Sequence, residues 1–312
     1  MKAKKIIKIA GTAVTAAAMV FVVKKLFDMD ISFSQLRDGK VIAALVLCFV
    51  IQTVVIIFSC YPWLVFTRSL SGRRIPFSAA MPVYTQSNMY KYLPGNVFQY
   101  VGRNQLAADM DISHVDVACA TVLDVLVCVL WTGIVSVVLL GGRIAELMSK
   151  YGRNLFIVAA VGIVVIAVAI IAARIKFKDR ISSYLSRYAK AFSKERRPQL
   201  LCGTFYYLLQ NCVTAVMYMG CLALIVPQAG MSELVALTGA FMFAWIIGFV
   251  TPGAPGGIGI REGVMLFVCG DSFEERILLF VLVMRIGSVF ADVAAFIIGK
   301  IYSRKRKAQA TE

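Results

Sequence analysis

The sequence predicts an all-α integral membrane protein with six full transmembrane helices and two re-entrant hairpins of half-helices, arranged as an inverted repeat. Three observations carry this expectation. Of 312 residues, 60% are hydrophobic and only 16% charged, with a mean hydropathy of +0.79. Apolar stretches of membrane-crossing length recur from one end of the chain to the other. Two further long stretches are interrupted by Pro-Gly breaks.

A helix rising about 1.5 Å per residue needs about 20 apolar residues to cross about 30 Å of hydrocarbon. The stretches 6–27, 41–66, 115–140, 155–173, 200–226 and 277–301 meet that requirement. The first has the basic start and small residues (Ala16 to Ala18) of a signal peptide. Its apolar run continues to Phe27 and the rest of the chain is also membrane-embedded, so a retained span is expected. The interrupted stretches are 76–108 and 234–270.

Charge decides whether they cross. The loop 174–198 carries nine basic residues against Asp179 and Glu195, which makes it cytoplasmic. Lys2, Lys4, Lys5 and Lys8, the turn with Arg68, Arg73 and Arg74, and the tail with Arg304 to Lys307 belong on the same side. Two full spans separate Arg74 from the basic loop, and two more separate that loop from the tail. Each interrupted stretch must therefore return to its side of entry, the first from the cytoplasm and the second from outside. Lys24, Lys25 and the three basic residues of 141–153 run against this assignment, but the larger cluster outweighs them. The expected organisation is a single membrane domain with a first repeat at 1–140, a second at 141–301 and a basic tail at 302–312. The location is the inner (cytoplasmic) membrane, with both termini in the cytoplasm.

The breaks read YLPGNVFQYVGR (92–103) and TPGAPGGIGIREG (251–263). Exposed backbone at membrane depth is tolerated only where protein or a watery cavity satisfies it. After such a break a new half-helix presents unpaired N–H groups and the positive end of its dipole. Pro94 and Gly95 make the first break, and Asn96 is placed as an N-cap or ligand. Gly256, Gly257 and Gly259 let a headgroup approach the second. Arg103 and Arg261 add guanidinium forks suited to phosphate, and Glu262 follows directly, where it could also neutralise Arg261. Asp124, Arg285 and Asp292 are intramembrane charges, candidates for carrying a proton or forming a salt bridge. Arg285 and Asp292 share a helical face and are placed to meet through a substrate or water, while Asp124 could pair with Arg103 or Arg285. Gln210 and Asn211 read as interhelical hydrogen-bonding residues.

No Walker-type loop, nucleophile elbow or carboxylate pair for a metal is present, and GGIG lacks the βαβ context of a dinucleotide site. The eight cysteines form no CxxC pair, and His114 is the only histidine. No metal, other cofactor or catalytic residue is expected. The basic excess of 33 Lys+Arg over 17 Asp+Glu lies between apolar spans, which fits topology and anionic lipid rather than nucleic acid.

The two motifs together resemble the transmembrane flippase domain of the lysylphosphatidylglycerol synthase family, without the soluble synthase domain. The likeness spans nearly the whole chain and extends to Pro252, Gly253, Pro255 and Gly263. It implies a lipid flippase, and free-standing relatives imply a link to lipid-linked glycan pathways. The charged pair that family members carry in the third span is replaced here by Asp124 between Leu123 and Val125. The function expected is translocation of an anionic lipid, a phospholipid or a polyprenyl-phosphate-linked glycan. The alternatives are an integral membrane transferase using a lipid-phosphate donor, or an assembly subunit of a cell-envelope polysaccharide pathway. The partners expected are anionic lipid or lipid-linked glycan, with a second copy of the chain or envelope-biosynthesis proteins as candidates.

Overall fold

The computed structural model describes residues 37–92, 98–144, 149, 152, 197–250, 260–269 and 274–309, and within them every element is helical. In chain order these are α1 (Gly39–Phe58), α2 (Cys60–Ser71), α3 (Phe77–Asn88), α4 (Phe98–Ala107), α5 (His114–Leu140), α6 (Arg197–Ile225), α7 (Met231–Val250), α8 (Ile260–Cys269) and α9 (Glu274–Gln309). Short 3₁₀ turns at Met89–Tyr92 and Ala108–Met110 flank α4.

Among the described residues, five stretches are long and apolar enough to cross a membrane: Gly39–Ser71, His114–Leu140, Arg197–Ile225, Met231–Phe249 and Glu275–Arg306. The protein is a multi-pass membrane protein. Its outward faces agree with that: Ile42, Val46, Val50, Val54 and Phe58 form a half-exposed stripe on α1, and Leu201, Phe205 and Leu209 another on α6. Apolar residues on the outside as well as the inside of a helix mark a lipid solvent. The expected spans 6–27 and 155–173, and all but the end of the basic loop, lie outside the described residues.

Two elements differ from the sequence expectation. The span expected at 41–66 extends to Ser71 and is broken at Ser59. Pro62 supplies no N–H for the Phe58 carbonyl, and the Ser59 hydroxyl turns back to donate to the Val55 carbonyl at 2.7 Å. Gly72 closes α2 with φ of 70°, and its N–H bonds the Arg68 carbonyl at 2.9 Å. The second difference is α7, expected as a half-helix but 20 residues long without interruption. That is enough for about 30 Å. No proline lies within it, and its Gly239 is a packing residue rather than a break. By contrast α3, α4 and α8 have 12, 10 and 10 residues. That is half-span length, about 15–18 Å.

The core lies in two main clusters at opposite ends of the bundle. One joins Trp63, Phe66, Ala79 and Ala80 with Ala107, Val117 and Leu200, which brings together the outer ends of α3 and α4 and the starts of α5 and α6. The other joins Ala44, Leu140, Leu222, Leu237, Phe241, Val268 and Phe280, which brings together the start of α7, the end of α8 and the start of α9. The two interrupted stretches thus enter the bundle from opposite ends. Their packing is reciprocal: α3 lies along α9, the long helix that follows the second break, and α7 lies along α5, the long helix that follows the first.

Small residues permit those approaches. A Cβ at Gly239 would stand 2.7 Å from the Leu140 nitrogen and 2.9 Å from the Ser136 carbonyl oxygen, both backbone atoms of α5. The Ser136 hydroxyl donates to the Gly239 carbonyl at 2.8 Å across the same contact. Gly299 of α9 similarly faces Thr85 of α3. Gly239→Ala is expected to separate α5 from α7 and to cost about 1–3 kcal/mol, the usual range for overpacking. Gly39→Ala, in open space at the start of α1, should be nearly neutral. Thermal unfolding of the detergent-purified variants checks the difference.

Candidate functional site

Between the two clusters lies a cavity of about 270 Å³. Residues from both interrupted stretches line it: Tyr84, Asn88, Lys91, Tyr92, Tyr100 and Arg103 from the first, and Trp245, Phe249 and Arg261 from the second. Gln52 of α1, Asp124 of α5, Gln210 and Asn211 of α6 and Arg285 of α9 complete the polar wall.

Arg103 is held tightly. Its Nη1 meets the Asp124 carboxylate at 3.1 Å, with both side chains almost fully buried. The Tyr207 hydroxyl donates to the other carboxylate oxygen at 2.6 Å. The guanidinium lies 3.9 Å from the centroid of the Tyr84 ring and 5.6 Å from that of Trp63. The pair locks α4 to α5 and α6, and Asp124 finds its partner in Arg103 rather than Arg285.

Asp292, buried on α9, accepts from Lys91 at 2.7 Å, from the Asn88 amide at 2.7 Å and from the Tyr92 hydroxyl. Arg285 instead pairs with Glu262 at 2.8 Å. The expected meeting of Arg285 and Asp292 is therefore replaced by two separate contacts, one to each interrupted stretch. Seven residues along a helix is about 10.5 Å. Each charge has a nearer partner than the other. Glu262, which could also neutralise the neighbouring Arg261, has its carboxylate 2.8 Å from Arg285.

Arg261 is left over. Its Nε is buried without a hydrogen bond, and the residue makes no ion pair with any described residue. Four cations line the cavity (Lys91, Arg103, Arg261 and Arg285), and three carboxylates (Asp292, Asp124 and Glu262) pair with the other three. These described residues therefore hold one more cation than carboxylate.

Arg103, Arg261, Asp124 and Arg285 thus share one cavity, with Glu262 and Asp292 bonded to its wall. Pro94, Gly95, Asn96, Gly256, Gly257 and Gly259 lie outside the described residues, as do Pro252, Gly253 and Pro255. Gly263 is exposed on α8 with open space about it. Gln210 and Asn211 do bond between helices, Gln210 accepting from Ser59 at 3.0 Å and Asn211 from Thr132 at 2.9 Å, but they also face the cavity. Sequence reasoning missed Lys91, Tyr207 and Gln52. Lys91 carried a usable signal, a lysine inside an interrupted apolar stretch. A single tyrosine or glutamine in an apolar helix carries none. Among the described residues no group of His, Cys, Asp and Glu is arranged to hold a metal ion.

The family described as the lysylphosphatidylglycerol synthase TM region matches residues 8–295. The chain belongs to this family, which associates it with membrane lipids. No curated protein and no solved structure matches it.

Removing one member of a buried ion pair costs about 3–5 kcal/mol because the other charge is left uncompensated. Asp124→Ala is expected to show that loss, and the Arg103→Ala/Asp124→Ala double variant to recover part of it. A double-mutant cycle on unfolding in detergent measures the coupling.

Proposed function

We propose that this member of the lysylphosphatidylglycerol synthase transmembrane family is a translocase for an anionic lipid. The headgroup occupies the cavity between the two interrupted stretches while the acyl or prenyl tails stay in hydrocarbon. The observation that carries the reading is the convergence of Arg103 and Arg261, from stretches entering at opposite ends of the bundle, on one cavity with a surplus positive charge.

Physical need supports it. Moving an ion of carboxylate size from water into a medium of dielectric about 4 has an idealised cost of order 20 kcal/mol. A headgroup does not cross bare hydrocarbon at a useful rate. A fixed cation in a polar cavity offsets that cost without letting the tails leave the bilayer. Arg261 is the direct contact in this scheme, and Arg103, already paired with Asp124, orients the wall on the opposite side. The reciprocal packing of α3 on α9 and α7 on α5 supports an inverted repeat, with repeats at 1–140 and 141–301. Rocking one repeat against the other would expose the cavity to each leaflet in turn. The basic loops support an orientation in the cytoplasmic membrane with the first hairpin opening to the cytoplasm.

Flipping of fluorescently tagged phosphatidylglycerol in reconstituted vesicles tests the proposal. Loss of a buried charged contact costs about 2–5 kcal/mol. Arg261→Ala is therefore expected to slow protein-dependent flipping by at least about tenfold. Arg103→Ala should slow it as well. Unchanged flipping in both variants would refute the assigned roles.

A further inference from the structure

Asp124 and Arg103 are placed to do more than hold the cavity wall together. We propose that this pair couples the anion to a proton: the anion displaces Asp124 from Arg103, Asp124 takes up one proton, and both cross together. The inference rests on the reading of the cavity as an anion-translocating site, and it adds a co-transported ion and a driving force.

Both residues line the cavity, and their contact at 3.1 Å is buried on either side. An anion held in the same space of about 270 Å³ competes with the carboxylate for the guanidinium, whose fork suits phosphate and carboxylate alike. Arg103 does not depend on Asp124 alone for its position. The Tyr84 ring lies 3.9 Å away, the Trp63 ring 5.6 Å, and Nε points to the Ser87 hydroxyl at 3.4 Å. These neutral contacts keep the guanidinium in place while its counter-ion changes.

Asp124 is left with little once Arg103 is taken. Its remaining hydrogen bond among the described residues comes from the Tyr207 hydroxyl at 2.6 Å. A buried carboxylate without a counter-charge neutralises by taking a proton. The acid form keeps the same neighbour, because a phenol oxygen accepts as well as donates. Asp292 differs. Besides Lys91, the Asn88 amide and the Tyr92 hydroxyl donate to it, and both neutral donors stay when a cation is drawn away.

The titratable groups facing Asp124 are Arg103 and Tyr100 of α4, Tyr84 of α3, Cys60 of α2, Tyr207 of α6 and Cys128 on its own helix. Phenols and thiols already carry their protons near neutral pH, and a guanidinium keeps its own. α7, which also packs along α5, has Glu233 as its one titratable side chain, and that lies at the Leu140 end of α5. Among the described residues at this site, the proton therefore goes to the Asp124 carboxylate.

Charge and protons balance. The proton comes from water on the face where the anion enters and converts the carboxylate to the acid. It returns to water on the other face as the anion leaves and Arg103 pairs with Asp124 again. One negative and one positive charge cross, so a pH difference drives the exchange and a membrane potential does not. Binding that takes up a proton strengthens as pH falls, by up to about tenfold per pH unit.

Two measurements on the full chain test this. In detergent, calorimetry of dioctanoyl-phosphatidylglycerol binding near neutral pH, in buffers of different ionisation enthalpy, counts the protons taken up. The wild type is expected to take up about one proton per lipid and to bind up to about tenfold more tightly one pH unit lower. Asp124→Asn, which mimics the protonated side chain, should bind with no uptake. In proteoliposomes with the potential clamped at zero and a pH difference of about one unit, tagged phosphatidylglycerol should collect about tenfold in the alkaline leaflet. With Asp124→Asn it should not respond to the gradient.

A wild type that binds the lipid without proton uptake, or does not bind it, overturns the inference and needs no variant to fold. Uptake that survives Asp124→Asn overturns it as well. Proton-linked binding without any flipping supports the coupling at the site and removes the translocase reading. Flipping that ignores the pH difference removes the coupling and keeps the translocase reading.

Discussion

A charge inside a membrane-embedded bundle must find a counter-charge or remain in contact with water, and the architecture around this cavity follows from that constraint. Arg103, Lys91 and Arg285 are each tied to a carboxylate from another element: Asp124 on α5, Asp292 on α9 and Glu262 on α8. Those three contacts are also polar cross-links between the interrupted stretches and their neighbours, beside the Ser136–Gly239 bond between α5 and α7. Arg261 makes no such ion pair among the described residues, and its Nε is buried without a hydrogen bond.

Close packing brings those charges into range. Gly239 and Gly299 let α7 and α3 approach α5 and α9 to distances that a Cβ would forbid. Tyr90 sits over Gly102 in the same way, closing the 3₁₀ turn onto α4. The aromatic side chains of the first stretch then divide their work. Tyr84 covers the Arg103 guanidinium, Tyr92 bonds Asp292, and Phe98 faces outward.

Much of this was legible in the sequence because a membrane makes hydropathy and charge unusually informative. The spans at α1, α5, α6 and α9 stand out by length and composition alone. Arg103, Asp124, Arg261, Glu262, Arg285 and Asp292 stand out because charge is rare in apolar stretches. Their pairing was not legible. Lys91 and Asp292 lie 201 positions apart, and only the antiparallel packing of α3 on α9 brings them together. The length of α7 was misread because the Pro-Gly break at 251–263 implied half-helices on both sides of it, whereas the 20 residues before the break form one continuous helix. Gln52 and Tyr207 are invisible beforehand, since neutral polar residues serve many purposes in such helices.

The whole account depends on two interrupted stretches that enter from opposite sides of the membrane and share one cavity. Their approach loops contain the exposed residues Asp111, beyond α4, and Gln228, before α7. In a background lacking the eight native cysteines, Asp111→Cys and Gln228→Cys can be labelled with a membrane-impermeant maleimide in sealed vesicles of known orientation. The account predicts that the two react from opposite faces, Asp111→Cys from the cytoplasmic one. Labelling of both from the same face would contradict it.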